Sequence, residues 1–207
     1  MSVPKITRSG DFSVEKKRKR KLEILAASVD VFSTKGYHET SIEDIIRKSR
    51  IARGTFYLYF KSKRDVFDNI LDDLLENLDR SIETIVIDDP VRSPVDQLKA
   101  NLTRVMNILG QNSGLRNIWL HHAWGLDKKS FLKLQKFNRQ VIDTIESALK
   151  KGIVIGIIRR CETRIIAAAM LGLVKEIADS IETKSKESTR KLIDEIVDFG
   201  LNGLIRR

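Results

Sequence analysis

Within the twelve-residue stretch ARGTFYLYFKSK, residues 52–63, the chain gathers a guanidinium, two aliphatic hydroxyls, two phenols and two ammonium groups. On a short helix, Arg53, Thr55, Tyr57 and Tyr59 are available for polar contacts, while Phe56 and Phe60 are suited to a buried side. Such a mixture fits nucleic acid, where arginine reads guanine edges and hydroxyl or phenol groups meet phosphate oxygens. Gly54 lacks a side chain, so backbone there can approach a ligand closely. Thr40 and Ser41 lie at the start of a preceding helix, where hydroxyls and free backbone N–H groups suit a phosphate.

The elements that must position these groups are legible upstream and downstream. Leu22, Leu25, Val29 and Phe32 recur at helical spacing, and Gly36 is placed to end that helix in a left-handed cap. Thr40 and Glu43 form a capping-box pair that predicts a helix over residues 41–48, with Ile42, Ile45 and Ile46 on its apolar face. A break at residues 49–51 leads to a third helix over residues 52–59. Two helices joined by so short a turn describe a helix-turn-helix. Ser62 and Asp65 repeat the capping pattern and predict a fourth helix to about Val86. Ser93, Pro94 and Asp96 start a fifth. Further helices are expected over residues 115–124, 128–151, 162–184 and 188–206, nine in all. The fold class is all-α: an N-terminal three-helix helix-turn-helix domain and a larger C-terminal helical domain for ligand binding and dimerisation. The expected boundary separates residues 1–66, with a basic arm at 1–21, from residues 67–207.

Charge supports that division. The chain has 207 residues and a net charge of +10. Residues 1–66 carry 16 Lys/Arg against 8 Asp/Glu, whereas residues 67–207 carry 22 against 20. The surplus in the first third points to a polyanionic partner for that part. The run at residues 16–21, Lys19 included, is expected to reach an adjacent minor groove or the DNA backbone. A single cysteine, Cys161, excludes an internal disulfide, and no apolar run is long enough to span a bilayer. A cytoplasmic protein with no membrane partner is the expectation. Phosphate loops, nucleophile elbows and dinucleotide fingerprints are missing, so no enzyme activity and no cofactor are expected. His121 and His122 are adjacent and point about 100° apart on a helix, so no metal site is expected either.

Residues 22–75 resemble the DNA-binding domain of the TetR family of bacterial transcriptional regulators. Residues 54–63, Gly-Thr-Phe-Tyr-Leu-Tyr-Phe-Lys-Ser-Lys, carry that resemblance most specifically. The nine-helix order and the length also match. Two positions depart from the family pattern. Ser49-Arg50 replaces Ala-Gly at the turn, and Ala52 replaces a capping Ser. The resemblance implies that Tyr59 and Lys63 clamp phosphates, with Tyr57 close enough to join them, and Arg53 and Thr55 are the candidates for base edges.

In the body, the last two helices carry more apolar residues than one core-facing stripe requires, among them Ile165, Met170 and Leu173 on one and Leu192, Phe199, Gly203 and Leu204 on the other. They are expected to form a homodimer, which lets two reading heads span a pseudo-palindromic operator in double-stranded DNA. Leu78, Met106, Leu109, Trp119, His122, Phe137, Val141 and Met170 are the candidates for a small-molecule site. Arg104, Arg116 and Arg139 are possible partners for an anionic headgroup. The reading is a dimeric, sequence-specific DNA-binding transcriptional regulator, a repressor released from its operator by an unidentified apolar or amphipathic effector. The alternative is a nonspecific architectural DNA-binding protein without an effector, whose affinity would ignore sequence and fall steeply with salt.

Overall fold

The computed structural model describes residues 9–180 and 185–204. Among them are nine α-helices: α1 Ser9–Lys35, α2 Ile42–Ser49, α3 Arg53–Tyr59, α4 Lys63–Ser81, α5 Pro94–Gln111, α6 Ser113–Asn117, α7 Lys128–Val154, α8 Thr163–Ser180 and α9 Lys186–Leu204. A π-helical turn, Ile118–His122, continues α6. The chain divides into two compact units, Met1–Ile70 and Leu71–Arg207. Residues 1–8 of the expected arm, and the expected ends of the last two helices at 181–184 and 205–206, lie outside the described residues.

In the first unit, residues 16–21 do not form an arm; they are part of α1. Lysine and arginine are good helix formers, and the ion pairs Arg18–Glu15 and Arg20–Glu23, both at i,i+3 spacing, favour the helix. The buried face of α1 is Ile24, Leu25, Ser28, Val31 and Phe32, with Val29 beside it. Leu22 is half exposed and is not part of that core. Gly36 closes the helix at φ +81, its N–H donating to the Phe32 carbonyl at 2.9 Å. The α2 cap is one residue later than the Thr40–Glu43 pairing predicts. Ser41 Oγ accepts from the Asp44 N–H, and the Asp44 carboxylate accepts from the Ser41 N–H, both at 3.1 Å. Thr40 is buried instead and donates to the Gly36 carbonyl at 2.7 Å.

Helix α2 ends at Arg50, whose φ of 52 and ψ of 47 are left-handed. The Ile51 N–H reaches back to the Ile46 carbonyl and Arg50 N–H to Arg47, both at 3.3 Å, which closes the turn. A side chain in this conformation is strained by about 1–2 kcal/mol relative to glycine. Ala52 gives α3 no side-chain cap, so packing holds it: Phe56 and Phe60 are almost wholly buried.

In the second unit, α4 stops at Ser81, five residues short of the expected end. Segment 82–86 leaves the helix because side chains of α5 bind its backbone. Asn101 accepts from the Glu83 N–H and donates to the Glu83 carbonyl. Gln97 does the same at Val86. Arg104 Nε donates to the Ser81 carbonyl at 2.7 Å, so it caps α4 and is not a free anion ligand. Helix α7 runs past Gly152 to Val154. A Cβ on Gly152 would lie 2.6 Å from Ile158 Cδ1, so the Ile158 side chain packs directly over this glycine. Leu149 and Ala167 form a small core between α7 and α8 with Ile142, Ile145, Ile158 and Ile166 around it. Lys99 on α5 donates to Asp194 on α9 at 2.5 Å.

Candidate nucleic-acid interface

The short helix α3 has two unlike sides. Phe56 is fully buried and packs edge-on to Tyr57, with ring centroids 5.3 Å apart. Opposite it, Arg53 and Gly54 are exposed, Tyr57 is half exposed and Leu58 is 82% exposed. Thr55 and Tyr59 are partly exposed. So large an apolar side chain as Leu58, turned outward among polar ones, adds a methyl-bearing surface that the sequence reading did not single out. Its signal was present: it occupies the position between two tyrosines on the side away from Phe56 and Phe60. Arg53 is held ready, its guanidinium 2.9 Å from Glu43 and 6.0 Å from the centre of the Tyr57 ring. Both charges are exposed, so this pair is weak and separable. A Cβ built on Gly54 meets nothing within 4 Å, which leaves open space over the backbone.

The frame behind α3 is rigidly hydrogen-bonded. Asp44 sits at its centre. Its carboxylate accepts from Lys35 Nζ at 2.8 Å, from the Ser41 N–H and Oγ, and from Arg47. The bond from Lys35, followed by those from Ser41, holds the Asp44 pKa well below the usual carboxylate range. Ser41 is exposed, but its hydroxyl is engaged in this box. It leaves the first-turn N–H groups of Ile42 and Glu43 at the open end of α2.

Two residues expected to touch phosphate have other partners. Lys63 donates its three N–H groups to the carbonyls of Tyr37 at 2.7 Å, His38 at 3.1 Å and Thr40 at 2.6 Å. Its ammonium also lies 4.4 Å from the centre of the Tyr37 ring. Burial lowers its pKa. An ammonium has three donors, and Lys63 directs all of them to the α1–α2 loop. The Thr40 hydroxyl is likewise buried and engaged with Gly36. Lys19 is exposed on α1, on helix and not on an extended arm.

In the second unit, the small-molecule candidates are mostly core. Leu78, Met106, Leu109, Trp119, Phe137 and Val141 are buried, and His122 and Met170 are partly buried. Trp119 and Phe137 meet edge to face at 6.4 Å. Burial, with His121 adding a smaller repulsion, lowers the His122 pKa. His121 pairs with Asp179 at 2.8 Å. Among the described residues, no three His, Cys, Asp or Glu side chains converge on a metal site. No described helix is long and apolar enough to cross a membrane.

Comparison with known proteins agrees with this geometry. Residues 24–70 match the model of the bacterial regulatory proteins of the tetR family. The HTH-type transcriptional regulator YfiR of Bacillus subtilis is 33% identical over 144 residues, spanning 66% of this chain and 67% of that protein. The fatty acid degradation regulator FadR of Bacillus halodurans superposes with a TM-score of 0.72 at 20% identity, covering 91% of this chain and 97% of its own. AibR, solved with isovaleryl coenzyme A and operator DNA, gives a TM-score of 0.71 at 20% identity, over 87% and 97% of the two chains. At such identities the two solved structures establish a common fold. The likeness to YfiR, with the family-model match over the helix-turn-helix, makes this chain a member of the TetR family of transcriptional regulators, DNA-binding proteins and not enzymes.

Proposed function

We propose that this regulator is a dimeric repressor that leaves its operator when an amphipathic small molecule enters the body. The observation that carries the DNA-reading part is the outward side of α3, where Arg53, Gly54, Thr55, Tyr57 and Leu58 surround a helix anchored by Phe56 and Phe60. In this reading Arg53 leaves Glu43 for a base edge, and Thr55 contacts a neighbouring base. Tyr57, Tyr59 and the open N–H groups of Ile42 and Glu43 at the α2 N-terminus meet phosphates, and Lys19 adds long-range attraction. Residues 1–66 act as the reading domain and residues 67–207 as the dimerisation and effector domain.

Dimerisation is supported by apolar surface left open on the last two helices. Ile165 is 67% exposed and Phe199 75%, and Ala168, Ala169 and Gly172 are exposed between the ends of α8. Small residues beside large apolar ones favour close helix pairing across a two-fold axis. The effector part draws on the similar proteins, one a fatty acid degradation regulator and one bound to isovaleryl coenzyme A together with operator DNA. Binding of effector and of operator would then oppose each other through one coupling free energy.

Selection of genomic fragments at fixed salt tests the reading. Enrichment of a shared inverted repeat, bound by one dimer and released by an effector, is the expected result. Affinity that ignores sequence and follows salt alone would establish the architectural alternative instead.

A further inference from the structure

We propose that the body binds an organic anion whose carboxylate or phosphate is received by Lys175, Arg116 and Trp119 beside the π-helical turn. The proposal rests on the effector reading above and gives that effector a chemical class. Lys175, on α8, lies with its ammonium 4.6 Å from the centre of the Trp124 ring and 5.6 Å from that of Trp119. Burial lowers its pKa, and it has no ion pair among the described residues. Asp179, one turn along the same helix, is the natural i,i+4 partner, but it pairs with His121. Indole faces attract the ammonium, yet a cation taken partly out of water is better satisfied by an anion.

Two further donors are unmatched, one of them on Trp119, whose ring faces that ammonium. Arg116 Nε and Trp119 Nε1 are cut off from solvent and have no hydrogen-bond partner. The two residues are three apart, so they share one side of the α6–π segment. Buried donors without acceptors are rare in folded chains and mark a place where an acceptor is wanting. The π-helical geometry is a second, independent sign. The Ala123 N–H bonds the Ile118 carbonyl at 2.9 Å, which widens the helix at Trp119, and such widening recurs at functional sites.

The chemistry of this cluster selects the ligand. Its unmatched groups are the Lys175 ammonium, the Arg116 Nε–H and an indole N–H, which call for a group with two or more acceptor oxygens. Phe137 on α7 meets Trp119 edge to face and adds buried aromatic surface beside it. With buried aromatic surface adjoining, the ligand is an anionic head on an apolar tail.

Trp119 and Trp124 are the only tryptophans in the chain, so intrinsic fluorescence reports on this site directly. The full-length protein is titrated with decanoate, decyl phosphate and decanol. The expected result is a fluorescence change with an anion at least about tenfold tighter than with decanol. The stronger of decanoate and decyl phosphate identifies a carboxylate or a phosphate head. Lys175→Met should weaken the anion by about tenfold or more and leave decanol unchanged, and Lys175→Arg should restore most of the affinity. Equal binding of decanol by the parent protein, or undiminished anion binding by Lys175→Met, overturns the proposal. If Lys175→Met does not fold, the anion-against-decanol comparison on the parent decides alone. Operator binding is followed by anisotropy in the same samples. An anion that binds through Lys175 without releasing operator removes the effector reading and keeps the anion site. Operator release by decanol without preference for an anion does the reverse.

Discussion

The reading unit and the body differ at their buried polar groups: the body satisfies Gln97 and Asn101 but leaves others unmatched. Around α2 and α3, Ser28, Thr40, Asp44 and Lys63 each have their partners within the protein. In the body, Arg116, Trp119 and Asn138 each bury a polar atom that has none. A unit whose interior is satisfied is complete before it meets DNA, and its unmatched groups face outward on α3. The unmatched groups in the body are cut off from bulk solvent, where an entering guest would find them open. Rigidity suits a head that must hold side chains in register with bases, and an incomplete interior suits a part that must respond.

The largest expected effect would break the outward half of this contrast. Arg53→Ala, Thr55→Val and Tyr59→Phe together should lower operator affinity by more than about 100-fold, since a bidentate base contact alone contributes roughly 1–3 kcal/mol. The circular dichroism melting curve should change little. Unaltered operator binding would show that α3 does not read DNA. Next in size, Lys63→Met leaves three carbonyls without a donor. It should destabilise the reading unit by about 1–3 kcal/mol in urea titration while leaving the salt slope of DNA binding unchanged. A shallower slope with unchanged stability would return Lys63 to phosphate contact.

Acid should separate the two units. The folded Asp44 carboxyl is depressed, so the unfolded chain takes up the proton first. Its contribution is complete above about pH 4, the unfolded value, and is lost as pH falls through the folded one. Asp44→Asn should therefore make the reading unit less stable at neutral pH and flatten its loss of stability on acidification, measured by chemical denaturation across that range. Asn138→Leu should sharpen the inward half. Removing an unmatched buried acceptor should raise the stability of the body by about 1 kcal/mol, read as a higher melting temperature in the absence of ligand. The smallest effect concerns Gly54→Ala. Helix propensity should raise stability by roughly 0.5–1 kcal/mol, and nothing in the protein opposes the added methyl. Any loss of operator affinity would then report close approach of DNA to that backbone.

Much of this was legible in the chain itself. Gly36, Ser93, Pro94, Phe56 and Phe60 have local roles that residue type and spacing dictate, and the structure places them accordingly. What could not be read depends on partners distant in sequence. Lys63 resembles a phosphate ligand until the carbonyls of residues 37–40 fold over it. Helix α4 is periodic as far as Val86, yet Gln97 and Asn101 detach its last turn. The capping residue moved from Thr40 to Ser41 because both offer a hydroxyl and only the fold decides which one is buried. Lys175 gave no signal at all, since a lysine between two tryptophans is visible only once α8 lies beside the π turn.

Arg50 offers a clean separation of two influences that surface mutagenesis usually entangles. Charge-removing replacements near a DNA-facing turn commonly weaken the scaffold as well, so a drop in affinity has two explanations. Here the backbone already favours an achiral residue. Arg50→Gly would relax the turn and subtract one positive charge in a single step. Whatever affinity disappears in the firmer variant is then the arginine's own electrostatic share.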